Sequence, residues 1–387
     1  MNYRLLGRTA LRVSEIGLGT MVHAGHFGPM DDRESSAAIE AAMELGVNFI
    51  DTSDAYGAGK SEALLGQALR GRREQVILAT KGGTTMVGPN RGKRDYSPPY
   101  ISRVLEESLR RLQTDYVDLY QLHNPPPEVI ERGEVFDLLD KRRQEGKIRF
   151  YGISVNREEV ALASIRSGKV DVIQIEYSIL DQTAAWHVFP LAQAAGVGVI
   201  ARVPLRRGLL TGKFTPENQE RLHEEDVRVR HFPGERFQRE LVKVELCRFL
   251  LKGSIASLAQ AALAFCLAHP AVSTTIPGAR NAHQMRENAA ASGVRLPQDH
   301  LRRLRELWER GFRVPILYVL RRGDTGRFRT FQERLEQPGL ARVIWDRRIG
   351  ERRTIHKKVM PERRGGDRRG PLLSTWATFG FVATPQG

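Results

Sequence analysis

Four residues of the 387-residue chain, Asp51, Tyr56, Lys81 and His123, carry side chains that together could protonate a carbonyl oxygen. A free tyrosine titrates near ~10 and is a poor acid at neutral pH. A buried lysine ammonium beside it would stabilise the phenolate and make Tyr56 a usable proton donor. Asp51 would pair with Lys81 and hold it charged, and His123 would orient the substrate by donating a hydrogen bond to its carbonyl oxygen. Protonating that oxygen is half of a reduction. The other half is a hydride, which no side chain supplies, so a nicotinamide cofactor is implied. A rival chemistry makes Lys81 a Schiff-base nucleophile, as in aldolases, but that needs a neutral amine and Asp51 favours the charged one.

Singly, each of these residues has an ordinary structural explanation. Their force lies in where they fall along the chain. Eight short strand-like runs occur at Glu15–Leu18, Val47–Asp51, Val76–Thr80, Tyr116–Leu122, Phe150–Ser154, Val172–Glu176, Val197–Ala201 and Ser273–Ile276. Most are near-continuous apolar runs, as expected for parallel strands buried on both faces. Between them lie helix-like segments: Arg33–Leu45 (with Asp32 as N-cap), Ser61–Leu69, Pro98–Leu112, Val135–Gln144, Arg157–Ser167 and Ala184–Ala195. Most stop at or near a glycine, a good residue just past a helix end. This rhythm predicts a parallel α/β protein, and the strand count predicts a closed (β/α)8 TIM barrel. An open nucleotide-binding sheet would want GxGxxG after its first strand, and Gly17-Leu18-Gly19-Thr20-Met21 lacks the third glycine.

In a barrel the chemistry sits at the C-terminal strand ends. Asp51, Lys81 and His123 end three successive strands, Ser154 ends the fifth, Gln174 lies in the sixth, and Tyr56 occupies the loop after Asp51. The segment Tyr3–Val13, turned at Gly7-Arg8, is expected to form a hairpin that plugs the opposite end. Gly17-Leu18-Gly19 reads as a tight turn rather than a phosphate cradle. Cys266 falls in AQAALAFCLAHP, read as an amphipathic helix with the cysteine in the core. The polar stretch TPENQERLHEEDVRVRHFPGER reads as a mobile loop on the active face; His223, Glu224 and His231 lack metal-ligand spacing, and no metal is expected.

Charge and cysteine content bound the rest. The chain has 60 Lys+Arg against 45 Asp+Glu, a formal +15, which invites a nucleic-acid reading. Residues 314–387 hold 16 basic against 7 acidic residues, so most of the excess lies in a tail. Within it, Ile316–Leu320, Asp324–Leu335 and Leu340–Trp345 could form a strand–helix–strand unit. An arginine-rich near-repeat follows at 346–353 and 362–369, read as disordered. That tail could contact nucleic acid or an acidic protein, but it lacks the aromatic interleaving of a single-strand binder. Two cysteines make a disulfide scaffold implausible, and no run approaches the roughly 20 apolar residues of a membrane span. The opening residues have no secretory pattern, so a cytoplasmic location is expected.

Several motifs resemble the aldo-keto reductases over residues 1–313: LGRTALRVSEIGLGTM, GVNFIDTSDAYGAGKSEALLGQAL, VILATKGG, YVDLYQLHNPPP, KIRFYGIS, IQIEYSILDQ, VGVIARVPLRRGLLTGKF and TTIPGARNAHQMREN. The resemblance implies a catalytic tetrad of Asp51, Tyr56, Lys81 and His123, with Tyr56 as general acid in the reduction of aldehydes or ketones. It implies a nicotinamide site at Gly19, Thr20, Met21, Asp51, Ser154, Gln174, Arg202, Pro204 and Leu205, and an adenosine-phosphate segment at Gly278, Arg280, Gln284 and Asn288. Two departures stand out. The asparagine that usually follows the serine directly is displaced to Asn156, and Arg202 replaces an aromatic ring that stacks on the nicotinamide. A planar guanidinium can stack too. Arg280, the one cation of the adenosine segment, favours NADPH over NADH. Some relatives of this barrel bind NADPH as regulatory, redox-sensing subunits, which is the alternative to an enzyme. The substrate depends on loops at His23–Met30, Met86–Tyr96 and Thr215–Arg236; Arg91, Lys93 and Arg94 would suit an anionic or sugar-derived carbonyl.

Overall fold

A computed structural model describes residues 1–84, 92–215, 222, 226–232, 235–251, 255–312, 316–320, 323–335, 341–345 and 381–385. A short antiparallel pair comes first, β1 (Tyr3–Leu5) with β2 (Arg12–Ser14). Eight parallel strands follow: β3 (Leu18–Gly19), β4 (Phe49–Asp51), β5 (Ile77–Gly82), β6 (Val117–His123), β7 (Ile148–Val155), β8 (Val172–Glu176), β9 (Gly198–Arg202) and β10 (Val272–Thr275). Each pairs with its neighbour in sequence, and a parallel bridge from Ile16 to Thr275 joins the first to the last. That bridge closes the (β/α)8 barrel. β6 is buried along its whole length, as a strand covered on both faces must be.

Helices α1 (Asp32–Glu44), α2 (Lys60–Ala68), α3 (Pro98–Leu112), α4 (Pro127–Arg132), α5 (Glu134–Gln144), α6 (Glu158–Arg166) and α7 (Ala184–Ala194) fill the first connections. Later come α8 (Val227–His231), α9 (Glu235–Leu246), α10 (Leu258–Ala268), α11 (Ala282–Ala289) and α12 (Gln298–Glu309). Asp31 rather than Asp32 caps α1, its side chain accepting from the Arg33 N–H at 2.7 Å. α10 is not amphipathic: every residue from Leu258 to Leu267 is buried, because it packs on β10 and is covered by α11 and the turns on its outer side. Cys266 lies in that core.

The first hairpin seals the N-terminal end of the barrel. Leu6, Leu11 and Val13 join Phe49, Ala79, Leu119, Val172 and Ile200 in one interior cluster. Gly7, in a left-handed conformation (φ +54°), comes so close to β9 that a Cβ would lie 2.2 Å from the Gly198 nitrogen. The Arg8 N–H also bonds the Gly196 carbonyl at 2.7 Å. Gly17 and Gly19, by contrast, form no turn. Both run extended beside Phe49 and Ile276, whose carbonyl oxygens would sit 2.9 and 2.8 Å from a Cβ. Close strand approach, not chain reversal, requires glycine there.

Beyond α12, β11 (Ile316–Leu320), α13 (Thr325–Leu335) and β12 (Ala341–Trp345) make a strand–helix–strand with β11 and β12 parallel. β13 (Phe381–Pro385) pairs antiparallel on the other edge of β11. This small sheet meets the barrel at α9. The arginine-rich near-repeat lies outside the described residues.

Candidate active site

Asp51 and His123 are the last residues of β4 and β6, and Lys81 is the next to last of β5. The register sets Lys81 beside Gln121 and His123 beside Ser154, so their side chains converge at the open end of the barrel. Lys81 and Asp51 are 0% and 2% exposed, and Lys81 Nζ donates to Asp51 Oδ1 at 2.5 Å. The same ammonium donates to the Thr52 carbonyl at 2.9 Å and to the Tyr56 hydroxyl at 3.2 Å. Burial opposes a charge on Lys81, but Asp51 and Tyr56 outweigh it and hold the ammonium above its ordinary range. His123 stands edge-on to Tyr56, ring centroids 6.2 Å apart. Burial, then the cations Lys81, Arg202 and Arg94, push His123 well below its ordinary value, so it is neutral at pH 7. The four residues expected to act together do meet.

Behind them lies a network of Asp51, Ser154 and Gln174 that also includes Gln121, which the sequence reading missed. Gln121 and Gln174 both donate to Asp51 Oδ2, at 3.0 and 2.7 Å, and Ser154 Oγ donates to Gln174 Oε1 at 3.0 Å. Gln121 sits two residues before His123, on the same face of β6, and a buried polar residue in that alternation was the signal. Ser53, also missed, lies 3.3 Å from His123 Nδ1, and Thr84 and Tyr96 both donate to the His123 carbonyl. His26 packs edge-on against Tyr56 at 5.9 Å. Its carbonyl accepts from the N–H of Val227. The polar excursion is thus not all loop: 227–231 is a short helix capped by Asp226, while most of 216–225, including His223 and Glu224, lies outside the described residues. So does Arg91; Lys93 and Arg94 are exposed. Among the described residues no cluster of three His, Cys, Asp or Glu could hold a metal ion.

The expected cofactor residues fall on or just past β3, β4, β7, β8, β9 and β10. Thr20 donates to the Asp51 carbonyl, with Gly19 before it and half-buried Met21 after it. Arg202 ends β9 and donates to the Val155 carbonyl at 3.2 Å and to Asn156 Oδ1, so the displaced asparagine and the arginine engage each other. On both sides of Pro204 and Leu205 the chain is strained: Val203, Arg206 and Arg207 all have positive φ. Arg206 is pinned by Glu176, Asp181 and Glu240. After β10, Asn288 donates to the Gly278 carbonyl and Gln284 accepts from the Arg280 N–H, so both brace the 278–280 turn. Arg280 donates to the carbonyls of Phe27 at 2.7 Å and Pro29 at 2.5 Å.

A nicotinamide dinucleotide fits what these residues offer. Ser154 Oγ and Gln174 Oε1 keep lone pairs that could accept from a carboxamide N–H, since their own donors are spent on Gln174, Asp51 and Gln121, and Arg202 Nε is buried without a partner. Arg280 spends two of its five N–H donors on carbonyls and keeps the rest.

Residues 15–309 match the profile of the aldo/keto reductase family, three quarters of the chain. The chain belongs to that family. An uncharacterized oxidoreductase of Bacillus subtilis, YqkF, is 33% identical to this aldo/keto reductase over 307 residues, covering 79% of this chain and 95% of that protein. The NADH-specific methylglyoxal reductase of Escherichia coli is 31% identical over 330 residues, covering 79% and 97%. The holo form of aldo-keto reductase AKR11C1 from Bacillus halodurans superposes with a TM-score of 0.67 at 35% identity, covering 79% and 96%. The relatives are oxidoreductases, and the part of this aldo/keto reductase beyond residue 309 lies outside the family match. No described helix is long and apolar enough to cross a membrane.

Proposed function

We propose that this protein reduces aldehyde or ketone carbonyls to alcohols with a nicotinamide cofactor, Tyr56 acting as general acid. The observation that carries the reading is the Lys81 ammonium held between the Asp51 carboxylate and the Tyr56 hydroxyl. When bound, the cofactor supplies the hydride. Tyr56 gives its hydroxyl proton to the carbonyl oxygen, and the ammonium 3.2 Å away stabilises the phenolate left behind. His123, neutral and facing the same space, orients that oxygen through a ring N–H. Ser154 and Gln174 would hold the carboxamide of the nicotinamide, and the 278–288 segment would hold the adenosine end. Asp51 and Tyr56 favour the charged form of Lys81 against its burial, which argues against a Schiff-base role.

We further propose NADPH as the preferred cofactor, because Arg280 has N–H groups to spare for a 2′-phosphate; the NADH-specific relative makes a direct comparison necessary. Residues 1–313 form the catalytic unit and 314–387 an addition to it, and the cytoplasm is the expected compartment. The test is a panel of carbonyls assayed with NADPH and NADH separately, on wild type and Tyr56→Phe. Turnover lost in Tyr56→Phe with cofactor binding kept supports the enzyme. Cofactor binding without turnover on any carbonyl in wild type overturns it in favour of a redox sensor.

A further inference from the structure

We infer that Asp54, acting through Ser53, sets which ring nitrogen of His123 carries its proton, and so whether that ring can donate to a carbonyl. The inference rests on the reductase reading, in which His123 orients the substrate oxygen. Ser53 Oγ lies 3.0 Å from Asp54 Oδ1 and 3.3 Å from His123 Nδ1, forming a carboxyl–hydroxyl–imidazole chain. It also accepts from the Ala55 N–H at 3.2 Å. Ser53 is fully buried and His123 nearly so, so water does not substitute freely at the serine–imidazole contact, while the Asp54 carboxyl is partly exposed.

A serine hydroxyl has one proton, and it can go to one neighbour at a time. When Asp54 is ionised it can only accept, so Ser53 donates to it. The serine oxygen must then accept from His123, which places the imidazole proton on Nδ1. Nε2 is left as a bare lone pair facing the substrate space, unable to donate to a carbonyl. When Asp54 is protonated its O–H donates to Ser53, Ser53 donates to Nδ1, and the imidazole proton sits on Nε2. That tautomer orients a carbonyl; the other suits the O–H of an alcohol. Passing from the second state to the first, Asp54 gives its proton to Ser53 and Ser53 gives its own to Nδ1. Nε2 then releases one proton to solvent, so the exchange balances with a single proton lost. Because His123 itself stays neutral, the choice between nitrogens is the one freedom the ring has.

The carboxyl at the head of this chain is placed to change state near neutrality. Burial, then the Glu62 carboxylate on α2, push Asp54 up to about 7, while Ser53, the Ala55 N–H and Arg111 on α3 oppose them. Tyr120 on β6 and Tyr96, in the segment before α3, are near enough to feel its charge and stay neutral, since burial raises both. Below about 7 the protonated carboxyl therefore selects the donor tautomer, and above it the acceptor tautomer. Asp54 is on this account a positioning residue, acting through His123 rather than on substrate.

The experiment is nitrogen-15 NMR of the full-length protein with labelled histidine, the His123 signals assigned by their loss in His123→Gln. The wild type should cross from the Nε2–H to the Nδ1–H pattern as pH rises through about 7, and Asp54→Asn and Ser53→Ala should each show one pattern throughout. In parallel, kcat/KM for carbonyl reduction should fall by up to about tenfold per pH unit above the crossover in wild type, a limb both variants lose. One tautomer in wild type from about pH 5 to about 8 overturns the inference without any variant. So does a crossover that survives in Asp54→Asn. Neither result touches the reductase reading, which stands or falls on turnover in wild type and Tyr56→Phe.

Discussion

Replacing Lys81 by methionine keeps an unbranched side chain, one atom shorter, and removes its charge. The ammonium has no solvent contact and makes three donations, to Asp51, Thr52 and Tyr56; methionine makes none. Asp51 is then a buried carboxylate whose Oδ2 still has the Gln121 and Gln174 amides but whose Oδ1 has lost its cation. Breaking one side of such a pair costs about 3–5 kcal/mol. At about 2.1 cal/mol/K per residue, a barrel of about 300 residues loses about 1.6 °C per kcal/mol, so Tm should fall by about 5–8 °C. Adding Asp51→Asn removes the stranded charge, and the double variant should regain at least half of that loss. The assay is thermal unfolding by circular dichroism at pH 7 on wild type, both single variants and the double. A Lys81→Met Tm within about 1 °C of wild type, or a double variant that loses the sum of both singles, refutes the reasoning. Turnover should drop by about a hundred- to ten-thousand-fold in Lys81→Met, and near-normal turnover would remove Lys81 from the proton-transfer site.

Arg280→Ala should raise the KM for NADPH about tenfold more than that for NADH. Equal changes would mean that Arg280 only tethers the carbonyls of Phe27 and Pro29. Gly152→Ala should cost at least about 2 kcal/mol in denaturant unfolding, because its Cβ would lie 2.2 Å from the Val172 carbonyl oxygen on the neighbouring strand. Gly146→Ala meets open space but a φ of +76°, and should cost only about 1 kcal/mol; the reverse ranking would be wrong for both sites. Cys247 and Cys266 are buried, and burial raises both thiols, so neither should react with an aromatic disulfide reagent until the protein unfolds. Fast labelling of native protein would contradict that.

What could be read from the residues was whatever the chain writes locally. Apolar runs ended by Asp51, Lys81 and His123 mark strand ends, and counting them leads to the barrel. The misreadings share a cause, which is contact between segments far apart in sequence. Gly17 and Gly19 look like turn residues until the Phe49 and Ile276 carbonyls are beside them. The α10 stretch looks amphipathic until its second face is found covered. The bonds from Arg280 to carbonyls some 250 residues earlier in the chain were equally invisible in the sequence. Gln121 and Ser53 went unnoticed because a polar residue in a strand or beside an aspartate carries no meaning until its partner is in place. The glutamine needed Asp51, and the serine needed His123.

The hairpin of Leu6, Leu11 and Val13 makes the barrel a dead end. On the proposed reading, cofactor and carbonyl would both reach Lys81 from the open end, and whichever lay deeper would have to arrive first and depart last. Such a vessel imposes a sequence on its traffic without any moving part. Product-inhibition patterns in steady-state kinetics would read that sequence directly, and random order would mean that neither molecule blocks the other's path at the open end.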